Sequence, residues 1–294
     1  PKGLMVKLES INKYNLDLII PVFLILLAEG LIFVGDMSAA LTVHALNLII
    51  LILSSIYIEN RIYPALMLLP LFRLLNIAMP VFFTLTLYSY TFVYAPMFIP
   101  IYYIIKERMF KFSEIGLTAR DFWLFLPLAI ATGVAIGWGE YQVLHPGVLV
   151  PDYSIKNILV LSITMIFFVG IVEEFVFRCS LQTVMEERLG PVTGLLATSI
   201  IFGFMHSGYH LPLELVYVSF AGVIFGLLFW LSKSLPVIAL THGITNIALF
   251  LVVPVYPGMI IYIFLLFIFL FIVVVILSRR LPKKMNFNIS VRRS

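Results

Sequence analysis

The sequence predicts an all-α membrane protein, a polytopic bundle of about eight to ten transmembrane helices with a central intramembrane active site. The first observation is composition, since 62% of the 294 residues are hydrophobic and only 12% are charged. The second is that several apolar runs exceed the roughly 18 residues that cross a bilayer, without the alternation of a transmembrane barrel. The third is that one long apolar run carries two adjacent carboxylates, Glu173 and Glu174.

The predicted spans follow the apolar runs in chain order. They are 18–35, 38–58, 62–82, 84–105, 122–139, 157–187, 192–206, 212–231, 236–252 and 257–278. Five prolines interrupt the third and fourth of them: Pro64, Pro70, Pro80, Pro96 and Pro100. One of these two segments is therefore expected to lie in the membrane interface or to be a broken helix. The last span is apolar on all sides, which indicates a lipid-facing scaffold helix.

We interpret the chain as one integrated membrane domain with two parts. Residues 1–120 are predicted to form accessory transmembrane helices. Residues 121–294 are predicted to form a catalytic core that ends in a basic tail. Cys179 is the single cysteine, so an intrachain disulfide is excluded.

Basic residues are distributed unevenly among the loops. Those expected on one side are Lys13, Arg61, Lys106–Arg120, Arg188, Lys233 and Arg279–Lys284. The intervening loops contain a single basic residue, Lys156. By the positive-inside rule, both termini and the basic loops are predicted to be cytoplasmic. The net charge of +4 is small and does not indicate nucleic acid binding, so the expected partners are the lipid bilayer and a substrate.

The two adjacent glutamates lie on a predicted helix of about 157–188. A charged side chain near the centre of a bilayer costs about 2.5–3.5 kcal/mol, so a pair of carboxylates there needs a reason. Glu174 and Arg178 are four residues apart with the acid first, the favourable order for an ion pair on one helix face. Glu173 points about 100° away and lacks that partner, which makes it the candidate for chemistry.

Other polar residues lie within predicted spans, mostly near their ends. They are Glu29, Asp36, His44, Arg73 and Glu214. Side chains at such positions usually reach water, and we expect this of all of them except Arg73. Arg73 is expected either to pair with a carboxylate or to face the cytoplasmic interface.

Two further pairs at helical spacing follow the glutamates. Phe202 and His206 end one predicted span, and His242 and Asn246 lie on one face of another. Counting about 1.5 Å per residue from the basic ends places Glu173, both histidines and Asn246 in one layer about 10 Å thick. Four glycines on these helices would allow close approach: Gly203, Gly222, Gly226 and Gly243.

The three motifs together resemble the signature of the CPBP family, which groups type II CAAX prenyl endopeptidases with bacteriocin-processing proteins. In this sequence they are Glu173-Glu174-x-x-x-Arg178, Phe202-x-x-x-His206 and His242-x-x-x-Asn246, and the resemblance covers about residues 165–250. It implies a core of about eight spans and an intramembrane endopeptidase. Isoprenylated CAAX proteins, or other hydrophobic peptides, are the implied substrates, and the product of CAAX cleavage is a C-terminal tripeptide.

The residue types suit hydrolysis by water. A carboxylate in a low-dielectric site is a good general base, so Glu173 is predicted to deprotonate a water that His206 also holds. His242 and Asn246 are predicted to stabilise the oxyanion. Glu174, Arg178 and Phe202 are the predicted supporting residues. No cofactor is expected; if zinc is bound instead, its ligands are Glu173, His206 and His242.

Two other functions fit part of the pattern. A proton-coupled transporter also needs intramembrane Glu and His, although it is expected to show inverted repeats that we do not find. A non-catalytic peptide-binding or immunity protein could keep the motifs without turnover. For a peptidase, we expect a polar cavity open to the cytoplasmic side; the rival is a cavity open to the far side, near Tyr209 and His210.

Overall fold

The structure is a computed structural model that describes residues 15–82, 86–119, 121–147 and 149–256, together with the single residues 258, 262, 265 and 269. Apart from those single residues, the predicted span 257–278 lies outside the described residues, as do Lys13 and the Arg279–Lys284 tail.

The described residues form helices and no strands, which confirms the all-α class. The helices are α1 Leu16–Phe33, α2 Met37–Tyr57, α3 Ile62–Phe82, α4 Tyr90–Tyr94, α5 Phe98–Lys106, α6 Phe112–Ile115, α7 Phe122–Leu144, α8 Ile155–Leu189, α9 Pro191–Phe204, α10 Pro212–Ser232 and α11 Leu235–Val252. Within the described ranges, six are long and apolar enough to cross a membrane: α1, α2, α7, α8, α10 and α11.

Most predicted spans correspond to one helix, with two differences. The predicted span 84–105 is broken into short 3₁₀ and α-helical pieces between Leu87 and Lys106. Pro96 lies in the first turn of one of these pieces, Ala95–Met97, a position that tolerates proline because its missing N–H would have no partner within the helix. The predicted span 122–139 continues to Leu144, so Glu140 lies within a helix and not in a loop.

The 35-residue helix α8 is the centre of the bundle and packs against α3, α4, α9 and α11. Its backbone widens to π-helix at Thr164–Gly170 and again at Phe175–Gln182. The short α-helical turn between them, Ile171–Glu174, carries both glutamates. Departures of this kind from regular helix geometry are frequent at functional sites.

Glycines allow the helices around α8 to approach closely, as the sequence predicted. A β-carbon at Gly243 of α11 would lie 2.6 Å from the Ile166 α-carbon of α8. One at Gly203 of α9 would lie 2.4 Å from the Leu215 carbonyl oxygen of α10. The closest of these contacts to a backbone atom joins α7 and α11, where Gly137 faces the Thr245 carbonyl oxygen.

The predicted basic loops meet at one end of the bundle, which we call the basic end. Arg61 pairs with Glu187 and, at 2.8 Å, with Glu114. Arg188 pairs with Asp17 at 2.7 Å. The α10–α11 turn also lies here, because the Leu235 N–H donates to the Gly116 carbonyl oxygen at 2.9 Å. Acidic partners therefore hold part of the basic charge in place.

The opposite end carries the turn between α1 and α2 and the loop between α9 and α10. His210 in that loop hydrogen-bonds through Nδ1 to the Phe33 carbonyl oxygen at 2.9 Å, which ties the two together. Asp36 is exposed and caps α2 through the Ala39 N–H at 3.1 Å, as expected of a residue near water.

The expectation that the other polar residues within the spans reach water is wrong. Glu29, His44 and Glu214 are completely buried. Arg73 is also buried, and it pairs with Glu29, in agreement with the first of its two predicted alternatives.

We predict that Gly137→Ala lowers the thermal unfolding temperature of the purified protein, whereas Gly30→Ala leaves it nearly unchanged. The new methyl group at Gly137 would lie 2.3 Å from the Thr245 carbonyl oxygen, but nothing lies within 4 Å of the corresponding position at Gly30. Overpacking of this kind costs about 1–3 kcal/mol. Equal unfolding temperatures for the two variants in detergent would contradict a close α7–α11 contact.

Candidate active site

A cavity of about 300 Å³ lies beside the middle of α8. Its walls come from α3, α4, α7, α8, α11 and the α9–α10 loop. All four predicted catalytic residues line it: Glu173, His206, His242 and Asn246. The three motifs, which lie up to 73 residues apart in the sequence, thus share one space.

Glu173 is almost buried, with 6% of its surface exposed, and it has more partners than the sequence suggested. The Tyr94 hydroxyl donates a hydrogen bond to Glu173 Oε1. Glu173 Oε2 lies 3.7 Å from Nε2 of His242. One carboxylate oxygen is thereby held by a side chain from the broken segment, and the other faces His242.

Glu174 links α8 to α11 within the protein interior. Its Oε1 accepts a hydrogen bond from Nδ1 of His242 at 2.7 Å. Its Oε2 lies 3.3 Å from Nε of Arg178, the ion pair that the i, i+4 spacing predicted. Glu174 therefore fixes the orientation of the His242 ring in addition to pairing with Arg178.

The guanidinium group of Arg178 is completely buried among aromatic rings. It lies 4.5 Å from the ring centroid of Phe202 and 5.6 Å from that of Phe225. Cation–π attraction of this kind is stronger where water is excluded. The Phe202 ring in turn packs edge-on against His206 at 5.2 Å and against His242 at 5.9 Å. Phe202, with Arg178 packed against it, thus contacts the imidazole rings of both His206 and His242.

His206 follows the end of α9, and its Nδ1 lies 3.0 Å from the Phe202 carbonyl oxygen. A carbonyl oxygen can only accept, so Nδ1 carries the proton of this contact. In the neutral ring, Nε2 then has a free lone pair.

A buried clamp from α1 and α3 holds the chain on both sides of His206. Arg73 binds Glu29 through two hydrogen bonds, of 2.7 and 2.6 Å. Arg73 also donates to the Met205 carbonyl oxygen, and the Ser207 hydroxyl donates to Glu29 at 2.5 Å. His206 therefore lies between two residues that are fixed by an ion pair in the interior.

Asn246 lies one turn beyond His242 on α11 and is half-buried at the cavity wall. Its neighbour Thr245 is turned into the bundle, where its hydroxyl donates to the Thr241 carbonyl oxygen at 3.1 Å. The amide group of Asn246 is thereby available to a molecule within the cavity.

Sequence reasoning missed several residues of the cavity. Tyr94 lies in the broken segment, where no motif marks it. Glu140 lines the cavity from α7. An acidic residue in an apolar run is a detectable signal, but the predicted span ended one residue before it. Tyr209, which marked the alternative far-side opening in the sequence, does line the cavity, from the loop between α9 and α10.

The predicted zinc ligands Glu173, His206 and His242 all line the cavity. No group of three or more His, Cys, Asp or Glu side chains in the described ranges has the spacing to hold a metal ion. Nδ1 of His242 is occupied by Glu174, and its Nε2 lies 3.7 Å from Glu173 Oε2. Zinc–nitrogen bonds are about 2.0–2.1 Å long, so two ligands of one tetrahedral ion lie roughly 3.3 Å apart, and the Glu173–His242 pair is close to that separation.

Comparison with known families identifies the region that contains these motifs. Residues 155–248 match the family model described as Type II CAAX prenyl endopeptidase Rce1-like. The match includes α8, α9, α10 and most of α11, so it contains all three motifs and confirms the resemblance to the CPBP family. No curated protein and no solved structure matches the chain.

The match covers about a third of the chain, and it supports a similarity of residues 155–248 to CAAX-protease-type intramembrane peptidases. The protein is accordingly a multi-pass integral membrane protein.

We predict that Glu174→Ala destabilises the protein by about 3–5 kcal/mol, because it leaves Arg178 buried without its counterion. The double variant Glu174→Ala/Arg178→Met should recover much of this loss, since it removes the unpaired charge as well. Denaturant unfolding in detergent measures both effects. A fully stable Glu174→Ala variant would mean that the Glu174–Arg178 pair is not structural.

Proposed function

We propose that this protein is an intramembrane endopeptidase in which Glu173 activates water for attack on a peptide bond. The observation that carries the proposal is the convergence of Glu173, His206, His242 and Asn246 on one cavity inside the bundle. The Rce1-like domain supports the same reaction class.

The nucleophilic water would lie between Glu173 and His206. Glu173 Oε2 accepts one of its hydrogens, and the free lone pair of His206 Nε2 accepts the other. A water held in this way directs an oxygen lone pair at the substrate carbonyl carbon. As the new C–O bond forms, Glu173 takes the proton, which is general base catalysis.

Two groups on α11 would stabilise the oxyanion that forms on the substrate carbonyl. The Asn246 side-chain amide donates one hydrogen bond. His242 donates a second from Nε2 when its ring is protonated, and Glu174 on Nδ1 favours that charged form. Donors placed in a site with little water are each worth about 3–4 kcal/mol of transition-state stabilisation.

The reaction would end when the protonated Glu173 returns its proton to the departing amide nitrogen. The C–N bond breaks, which gives a carboxylate and a free amine. The Tyr94 hydroxyl holds Glu173 Oε1 throughout, so the same oxygen Oε2 takes and returns the proton.

The apolar part of the cavity fits hydrophobic substrate side chains. Phe72, Met165, Val169 and Phe250 contribute to its walls. The family description suggests isoprenylated CAAX proteins as one substrate class, from which the enzyme would remove the C-terminal tripeptide. A farnesylated CAAX peptide is therefore one of the first substrates to test, with the products read by mass spectrometry.

We predict that Glu173→Gln lowers peptide cleavage by about 10²–10⁴-fold, because the amide cannot act as a base. Asn246→Ala should cost about 10²–10³-fold, the usual effect of losing one oxyanion donor. His206→Ala should also abolish cleavage. The measurement is turnover by purified protein in detergent, together with the unfolding temperature of each variant.

The matched control is Glu187→Gln, which changes an exposed carboxylate on the same helix at the basic end. It should retain cleavage. If Glu173→Gln cleaves as well as Glu187→Gln does, the role of Glu173 as the base is wrong. A transporter or a scaffold would show no cleavage with the unmodified protein.

We further predict that cleavage persists in the presence of a zinc chelator, because a water activated by the Glu173 carboxylate needs no metal ion. The measurement is turnover before and after incubation with 1,10-phenanthroline, followed by addition of zinc. Loss of turnover that zinc restores would place a metal among Glu173, His206 and His242.

A further inference from the structure

The cavity extends from the middle of the bundle toward the end that is opposite the basic end. Glu140 shows this most directly, because it is four residues, or about 6 Å, from the end of α7 at Leu144. It is about 27 Å from the start of α7 at Phe122, which is at the basic end. Gly208 and Tyr209, which also line the cavity, lie beyond the far end of α9.

The mouth of the cavity is at this far end. Of the described residues that line the cavity, Gly208 and Tyr209 are exposed, and the remainder are buried or half-buried. Tyr209 has 40% of its surface exposed. Both residues belong to the loop that His210 ties to the end of α1. A molecule that enters the cavity therefore passes this loop.

The path from the cavity to the basic end is filled with protein. On α8, every residue from Glu174 to Gln182 is at most 1% exposed. At the start of α11, Ser234 is completely buried and its hydroxyl donates to the Thr118 carbonyl oxygen at 2.8 Å. A peptide that approached from the basic end would have to displace this packing.

The distribution of Lys and Arg residues predicts which end of the bundle faces the cytoplasm. Lys106, Lys111, Arg188 and Lys233 lie at the basic end, which the positive-inside rule places in the cytoplasm. The far-end loops contain no Lys or Arg: 34–36, 145–154, 205–211 and 253–256. The mouth is therefore on the non-cytoplasmic face. The expectation of a cavity open to the cytoplasmic side does not agree with this geometry.

On the basis of the peptidase function proposed above, we propose that the site takes its substrate from the non-cytoplasmic face of the membrane. The substrate class is then an exported, membrane-anchored protein whose apolar segment reaches the cavity past Gly208 and Tyr209. A protein prenylated in the cytoplasm would approach the packed basic end and is the rival substrate.

Single cysteines test the access route without any assay of cleavage. The background is Cys179→Ser, which removes the only cysteine of the chain. Gly208→Cys marks the mouth and is tolerated, because nothing lies within 4 Å of a β-carbon there. Val34→Cys marks the far end outside the cavity, and Lys111→Cys marks the basic end; both residues are exposed.

In intact cells, a membrane-impermeant maleimide should label Gly208→Cys and Val34→Cys. Lys111→Cys should be labelled only after the cells are permeabilised. Labelling of Lys111→Cys but not of Gly208→Cys in intact cells would overturn the proposal. So would labelling of Val34→Cys alone, since it would show that the mouth is not open at that end.

Sidedness of cleavage separates this inference from the peptidase function. The probes are two fluorophore–quencher peptides whose charged ends keep them from crossing a bilayer. One contains an apolar anchor segment, and the other contains a farnesylated CAAX sequence. Cleavage in detergent that Glu173→Gln abolishes supports the peptidase function alone. In sealed vesicles, the anchor peptide should be cut only when the Gly208 face is outside.

Cleavage of either peptide only at the Lys111 face would overturn the proposed access while leaving the peptidase function intact. If neither peptide is cut in detergent, the peptidase function fails for these substrates. The labelling result then still decides on which face the cavity opens.

Discussion

The buried contact between Glu174 and His242 is the constraint on which the site depends. It joins α8 to α11 through one short hydrogen bond, and the second oxygen of the same carboxylate lies beside Arg178. None of these groups is accessible to water from the basic end, so each must be satisfied by the others. The backbone of the adjacent residue, Glu173, is consequently fixed. Its carboxylate faces the cavity, where Tyr94 donates to one of the two oxygens.

Much of this arrangement could be predicted from the sequence because it is local. Helices about 20 residues long follow from apolar runs, and the Glu174–Arg178 pair follows from its spacing of four residues. Convergence of Glu173, His206, His242 and Asn246 was predictable from their similar depth, since helices packed through glycine contacts bring residues of equal depth together.

The parts that could not be predicted depend on contacts between distant segments. The hydrogen bond between Tyr94 and Glu173 joins α8 to a segment whose prolines remove any helical period. Arg73 was expected to pair with a carboxylate or to face the cytoplasmic interface, but Glu29 resembled an ordinary polar residue near a helix end. The contacts of this pair with Met205 and Ser207 depend on the fold. Glu140 was not recognised as a cavity residue, because the predicted span ended at residue 139 whereas the helix ends at Leu144.

The clamp has a consequence for chimaeras that contain only residues 155–248. Residues 155–248 contain every motif that defines the Rce1-like domain, yet the loop around His206 is held by α1 and α3, and Glu173 is held by α4. The matched segment alone lacks these supports. A chimaera that grafts it onto foreign helices would therefore keep the signature while losing the geometry, unless the recipient supplied an equivalent ion pair and hydroxyl group.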